Sequence, residues 1–93
     1  MKISRDPNRR LATLRDRGLD FDDAAEVFDN FTLDILDERF DYGEERILTI
    51  GRLRGRMVVV FWTRRDEARH VISMRKANAR EQARFGKRLE EGR

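Results

Sequence analysis

The sequence predicts an α+β fold, with two helices, then a twisted antiparallel sheet of three to five strands, then a C-terminal helix packed on it. Helix-spaced apolar residues fill the first third of the chain, β-branched and aromatic runs fill the middle, and helical spacing returns from Asn78 onward. The middle runs are joined by short links. Strands so joined pair antiparallel, because a parallel crossover needs about a dozen residues or more.

Each element has local cause. Lys2 to Ser4 reads as a short edge strand. Asp6 is placed to cap a helix that begins at Pro7, carries Leu11 and Leu14 three apart, and stops at Gly18, which supplies a left-handed C′ position. A second helix is predicted over Asp22 to Asp29, with Ala24, Ala25, Val27 and Phe28 on its apolar face and acidic residues at its positive end. Thr32–Asp37, Arg46–Gly51, Met57–Thr63 and Arg69–Met74 read as strands. Gly55 allows a hairpin between the second and third of these, and Arg64 to Ala68 makes the next turn. The last helix runs from Asn78 to Gly92 and turns Phe85 and Leu89 toward the sheet.

With 93 residues, the chain is expected to form one domain over 1–93, burying roughly two thirds of its unfolded surface. It contains no repeat, linker or low-complexity tract. No apolar run approaches the roughly 18 residues of a membrane span, and Met1 to Asp6 lacks the apolar centre of a signal peptide. A cytoplasmic location without membrane contact is therefore expected. The absence of cysteine excludes disulfides, thiolate metal sites and cysteine nucleophiles. Charge is strongly segregated: residues 1–19 carry +4, residues 20–45 carry −10 and residues 46–93 carry +9, for a net +3. One region repels a polyanion and the other attracts it.

Catalytic options are narrow. A Ser–His–Asp arrangement would need His70, the only histidine, to orient Ser4 or Ser73, and strict strand alternation sets His70 and Ser73 on opposite faces. The carboxylates of 20–45 lack calcium-loop spacing, no glycine-rich phosphate loop is present, and no metal or other cofactor is expected. What stands out is a basic set: Arg64, Arg65, Arg69, Arg75, Lys76, Arg80, Arg84, Lys87 and Arg88. Arg80, Arg84 and Arg88 recur every fourth residue and form one helical stripe. Cleavage of RNA by its own 2′-OH needs no protein nucleophile, only a counter-charge for the phosphorane and a group that moves protons. Guanidinium forks match phosphate oxygens, and proton transfer falls to His70, to Glu81 or to solvent. The alternative is that these cations pair with Glu81, Glu90 and Glu91 and solvate an outer face. Either Glu45 or Arg46 is expected to join an ion pair with Arg65 or Arg75, and Trp62, beside Val60 and Phe61, is expected in the core.

Several segments in order resemble the BrnT toxins across nearly the whole chain. They are Asp6, Arg17-Gly18-Leu19-Asp20-Phe21, Ala24 to Asp29, Glu44-Glu45-Arg46 before Ile50-Gly51, Thr63-Arg64-Arg65, and Ile72 to Ala77 with Glu81. The resemblance implies a compact RelE-like ribonuclease toxin of a type II toxin–antitoxin pair. It further implies neutralisation by a BrnA-like antitoxin, in a heterotetramer, with operator DNA bound only through the antitoxin. Carried over by position, it marks Arg65, Arg75 and Glu81, with Lys76 and Arg80 as neighbours of the same sign; with the residue reading, catalytic parts are expected for Arg65, Arg75, His70 and Glu81, and RNA contacts for Lys76, Arg80 and Arg84. Five positions depart from the family pattern: Asp16-Arg17 replaces a Lys-His pair, Arg5 a tryptophan, His70 an arginine and Phe85 a tyrosine. Two functions follow as expectations: a metal-independent endoribonuclease that inhibits translation, or a non-catalytic basic module that holds an antitoxin or nucleic acid.

Overall fold

The computed structural model describes residues 2–92. The chain runs β1 (Lys2–Arg5), α1 (Pro7–Arg17), a 3-10 turn (Phe21–Asp23), α2 (Ala24–Asp29), β2 (Leu33–Leu36), β3 (Ile47–Leu53), β4 (Arg56–Arg65), β5 (Ala68–Lys76) and α3 (Ala79–Glu91). Five strands form one sheet in the order β1-β5-β4-β3-β2. Neighbours from β2 to β5 are antiparallel, as their short links require, but β1 pairs parallel to β5, with Lys2 opposite Ala68 and Arg5 opposite Val71. The sheet is therefore mixed, not antiparallel throughout. Nearly the whole chain separates β1 from β5, so the short-link argument never applied to that pair.

The N-terminal region also differs from the two helices expected. Helix α1 is capped as predicted: the Asp6 carboxylate accepts from the Asn8 N–H, and Gly18 has φ 69°. It buries no side chain, and Leu11 remains 55% exposed. Polar ties hold it instead. Arg10 forks onto Asp20 at 2.7 and 2.8 Å, and Arg17 donates to the Met74 carbonyl at 2.9 Å. The second helix is shortened to six residues, because the Asp20 carboxylate caps the Asp22 N–H and tightens Phe21–Asp23 into a 3-10 turn.

Two apolar layers flank the sheet. On one face Leu19, Phe21 and Val27 pack against Val58, Val60, Trp62, Val71 and Met74. Trp62 lies in this core as expected, its Nε1–H donating to Thr49 Oγ1 at 2.7 Å and its ring edge-on to Phe28. On the other face Phe85 and Leu89 of α3 cover Ile50, Met57, Val59 and Ala77.

Both hairpins are tighter than the sequence suggests. Arg54-Gly55 turns β3 into β4 with φ of 50° and 82°, the two positive values that a type I′ turn needs. Arg54 is steadied by Asp23 and Glu26 at 3.3 and 3.4 Å. Asp66-Glu67 does the same between β4 and β5 with φ of 49° and 65°, without glycine. The strands extend to Arg65 and Ala68 for that reason, where a five-residue turn was expected. A register shift in β5 leaves Ile72 unpaired opposite the Phe61/Trp62 step. Ser73 thus pairs with Phe61 and His70 with Thr63, so both lie on the same face of the sheet, contrary to simple alternation.

Candidate functional site

Helix α3 covers only part of its sheet face. Leu48 and Phe61 are half-buried at the border of the cluster that α3 covers. Residues on this face alternate along β4 as Val59, Phe61, Thr63 and Arg65, opposite Arg75, Ser73, His70 and Ala68 of β5.

At one end Arg75 and Glu81 form a forked pair, Nη1 to Oε1 at 2.7 Å and Nη2 to Oε2 at 2.9 Å. Glu81 is fixed by the helix itself. Its Oε1 also accepts from the Asn78 N–H while Asn78 accepts from the Glu81 N–H, a complete capping box. Arg75 holds the Glu81 carboxyl below the usual range, chiefly by these hydrogen bonds. The Arg75 guanidinium carbon stands 5.5 Å from the centre of the Phe61 ring. Arg80 and Arg84 flank an adjoining groove of about 290 Å³, floored by Ile35, Leu48, Ile50 and Phe85. Among the described residues neither arginine has an ion-pair partner, nor has Arg88; of the cations on α3 only Lys87 has one, Glu91 at 3.9 Å. The stripe is thus not neutralised by Glu90 and Glu91.

The other marked residues lie elsewhere. Arg65, six residues beyond Val59, sits about 20 Å farther along the same face and pairs with Glu44 at 3.1 Å. Glu44 takes the part that Glu45 or Arg46 was expected to play; the Glu45 carbonyl instead accepts from Thr63 Oγ1 at 2.6 Å. His70 lies near Arg65, with Ser4 Oγ 2.9 Å from its Nδ1. Burial first, and Arg65 second, lower its pKa below the ordinary value. Lys76 lines a separate hollow with Arg52, Arg56 and Gln82. Arg69 lies over Phe28 and Trp62, on the opposite face.

One cation was not singled out from the sequence. Arg39, in the loop between β2 and β3, forks onto Asp37 at 2.8 and 2.9 Å and stands 5.6 Å from the Phe61 ring centre. The Asp37 side chain is 3% exposed and also accepts from Tyr42, and its pKa falls to about 2, chiefly through Arg39. Arg39 is the lone cation among the eleven carboxylates of residues 20–45, which was the available signal. Among the described residues no three His, Asp or Glu side chains are grouped to hold a metal ion, and no helix is long and apolar enough to cross a membrane.

Fold and site together define a small α+β protein whose open sheet face is lined with carboxylate-fixed guanidinium groups, a surface suited to phosphate. Residues 6–81 match the sequence model of the family described as the ribonuclease toxin BrnT of type II toxin-antitoxin systems, and the chain belongs to that family. A search of curated proteins finds no match to it.

Proposed function

We propose that residues 1–93 form one RelE-like toxin domain acting in the cytoplasm as an endoribonuclease that inhibits translation. The observation that carries this reading is the Arg75–Glu81 fork beside Arg80 and Arg84, which have no ion-pair partner among the described residues, on a face open to a polyanion. In the proposed reaction the substrate 2′-OH attacks the adjacent phosphorus and expels the 5′-oxygen, leaving a 2′,3′-cyclic phosphate. Spare N–H groups of Arg75 offset the charge of the phosphorane, and no metal is required. Glu81, forked to Arg75, is the proton-transfer group nearest this phosphate, whereas His70, opposite Thr63 and so about 13 Å farther along the face, serves only a phosphate bound toward Arg65. Arg80 and Arg84 grip flanking phosphates, Arg65 meets the strand farther along the face, and Lys76 touches it only if the RNA bends round the end of β5. A BrnA-like antitoxin silences the enzyme, in a heterotetramer, and is the part that contacts operator DNA.

The test is direct. Purified protein in EDTA is expected to release fragments ending in 2′,3′-cyclic phosphate, and Arg75→Ala to lose at least about tenfold in rate while staying folded. Intact RNA after prolonged incubation with the wild type overturns the reading.

A specific observation favours a second one. Arg65 and Arg75 are both already paired with carboxylates, as expected of a binding module that never cuts its ligand. Growth arrest on expression, relieved by co-expressing the antitoxin, separates the two, since only the enzyme arrests growth.

A further inference from the structure

Two guanidinium groups stand near the Phe61 ring, that of Arg75 at 5.5 Å and that of Arg39 at 5.6 Å from its centre. They come from different parts of the chain. Arg75 rises from β5 and is braced by the first turn of α3, whereas Arg39 rises from the β2–β3 loop and is braced by Asp37. That loop is closed at its base by the Asp37 N–H bonding to the Arg46 carbonyl at 2.8 Å. Holding two like charges over one ring is costly unless their counter-charges are supplied, and each has its own carboxylate fork.

The forks leave donors unspent. Asp37 takes the Nε–H and one Nη2–H of Arg39, so both Nη1 protons stay free, and the Arg39 side chain is 63% exposed. Glu81 takes one proton from each Nη of Arg75, and a second Nη1–H leans on the Lys76 carbonyl at 3.3 Å, which leaves the Nε–H and one Nη2–H. We infer that Arg39 and Arg75 form a two-sided clamp for a single RNA phosphate, seated over Phe61, with Arg39 as a binding residue of the ribonuclease face. This rests on the reading above that the face receives RNA. A phosphodiester suits such a clamp better than a side-chain carboxylate. Its two unesterified oxygens splay from a tetrahedral centre and can be met from two directions, whereas a planar carboxylate is satisfied by one fork. The Asp37–Tyr42 pairing then aims Arg39 as well as supplying its counter-charge.

The probe is a fluorescent 2′-O-methyl RNA oligonucleotide, which lacks the attacking hydroxyl and reports binding without cleavage. Arg39→Ala alone strands the buried Asp37 carboxylate, so the double variant Asp37→Asn/Arg39→Ala is measured beside it, with circular dichroism to verify folding. Both are expected to bind about tenfold more weakly, with a salt slope shallower by about 0.7, the value of one single-strand phosphate contact. Arg39→Lys is expected to recover the slope but not the affinity, because an ammonium keeps the charge and loses the fork. Millimolar guanidinium is expected to restore part of the cleavage rate of Arg39→Ala and to leave wild type unimproved. Unchanged affinity and slope in the folded double variant overturn the clamp, and leave the ribonuclease reading standing if wild type still cuts RNA. Arg39-dependent binding without any cleavage by wild type upholds the clamp and overturns the enzyme instead. Loss of affinity for the antitoxin alone, with the oligonucleotide unaffected, overturns the phosphate assignment in favour of an acidic peptide.

Discussion

Asp37 is a carboxylate that stays ionised while almost wholly buried, and the pH dependence of stability should carry its signature. Its pKa is about 2 in the fold against 3.8 as the reference, so the stability it contributes is complete above about pH 4 and is lost as pH falls toward 2. Thermal melts of Asp37→Asn between pH 2 and 7 should show lower stability at neutral pH and a flattened acid limb. His70 titrates in a higher window with the same sign. Its folded pKa lies below the ordinary histidine value of 6.5, so protonation opposes folding, and stability present above that value is lost as pH drops through the folded one. A His70→Gln chain should lose less stability than wild type between pH 7 and 5. Ser4 is the partner to watch, because its hydroxyl, 2.9 Å from Nδ1, accepts from that nitrogen when it is protonated and donates to it when it is not.

Helices and strands carry predictions of their own. The Asp66-Glu67 turn places two residues with Cβ atoms at positive φ, so replacing the pair by Asn-Gly should raise stability by about 1 kcal/mol in denaturant titration. On β3, a Cβ at Gly51 would meet Val27 Cγ1 of α2 at 2.8 Å, and Gly51→Ala should cost about 1–3 kcal/mol. Phe85→Ala should cost about 3–5 kcal/mol, and RNA cleavage should fall with it, because loosening α3 frees Glu81 from Arg75. Much at this scale was readable in the residues themselves: Asp6 and Gly18 bounded α1, and Asn78 opened α3. What escaped was non-local or depended on backbone strain. No spacing rule announces that β1 will return beside β5, that Asp66-Glu67 will turn without glycine, or that Ile72 will slip out of register and bring His70 and Ser73 to one face.

The charge segregation seen in the sequence acquires a geometry in the whole molecule. Acidic residues supply Asp37 and Glu44, the counter-ions of Arg39 and Arg65, while Arg80 and Arg84 are left without partners among the described residues. The sequence could mark which cations mattered in bulk, yet Arg39 was hidden among carboxylates because only the folded loop carries it back over Phe61. RNA affinity should fall steeply with salt, each phosphate contact adding roughly 0.7 to the slope, and the slope should shrink stepwise in Arg80→Ala and Arg84→Ala. Strand β2 closes one side of the sheet with Ile35 and Leu36 exposed, 39% and 47%, and its outer edge is unpaired among the described residues. Hydrogen exchange of Leu33–Leu36 should slow when the antitoxin binds if that edge is covered. The opposite side is closed by β1 lying on Ala68–Val71, which sets a timetable for synthesis. The earliest strand made must wait for the latest, a matter of seconds at about 5–20 residues per second, before the sheet is complete. That edge of the sheet therefore stays open in a nascent chain until Ala68–Val71 have been made.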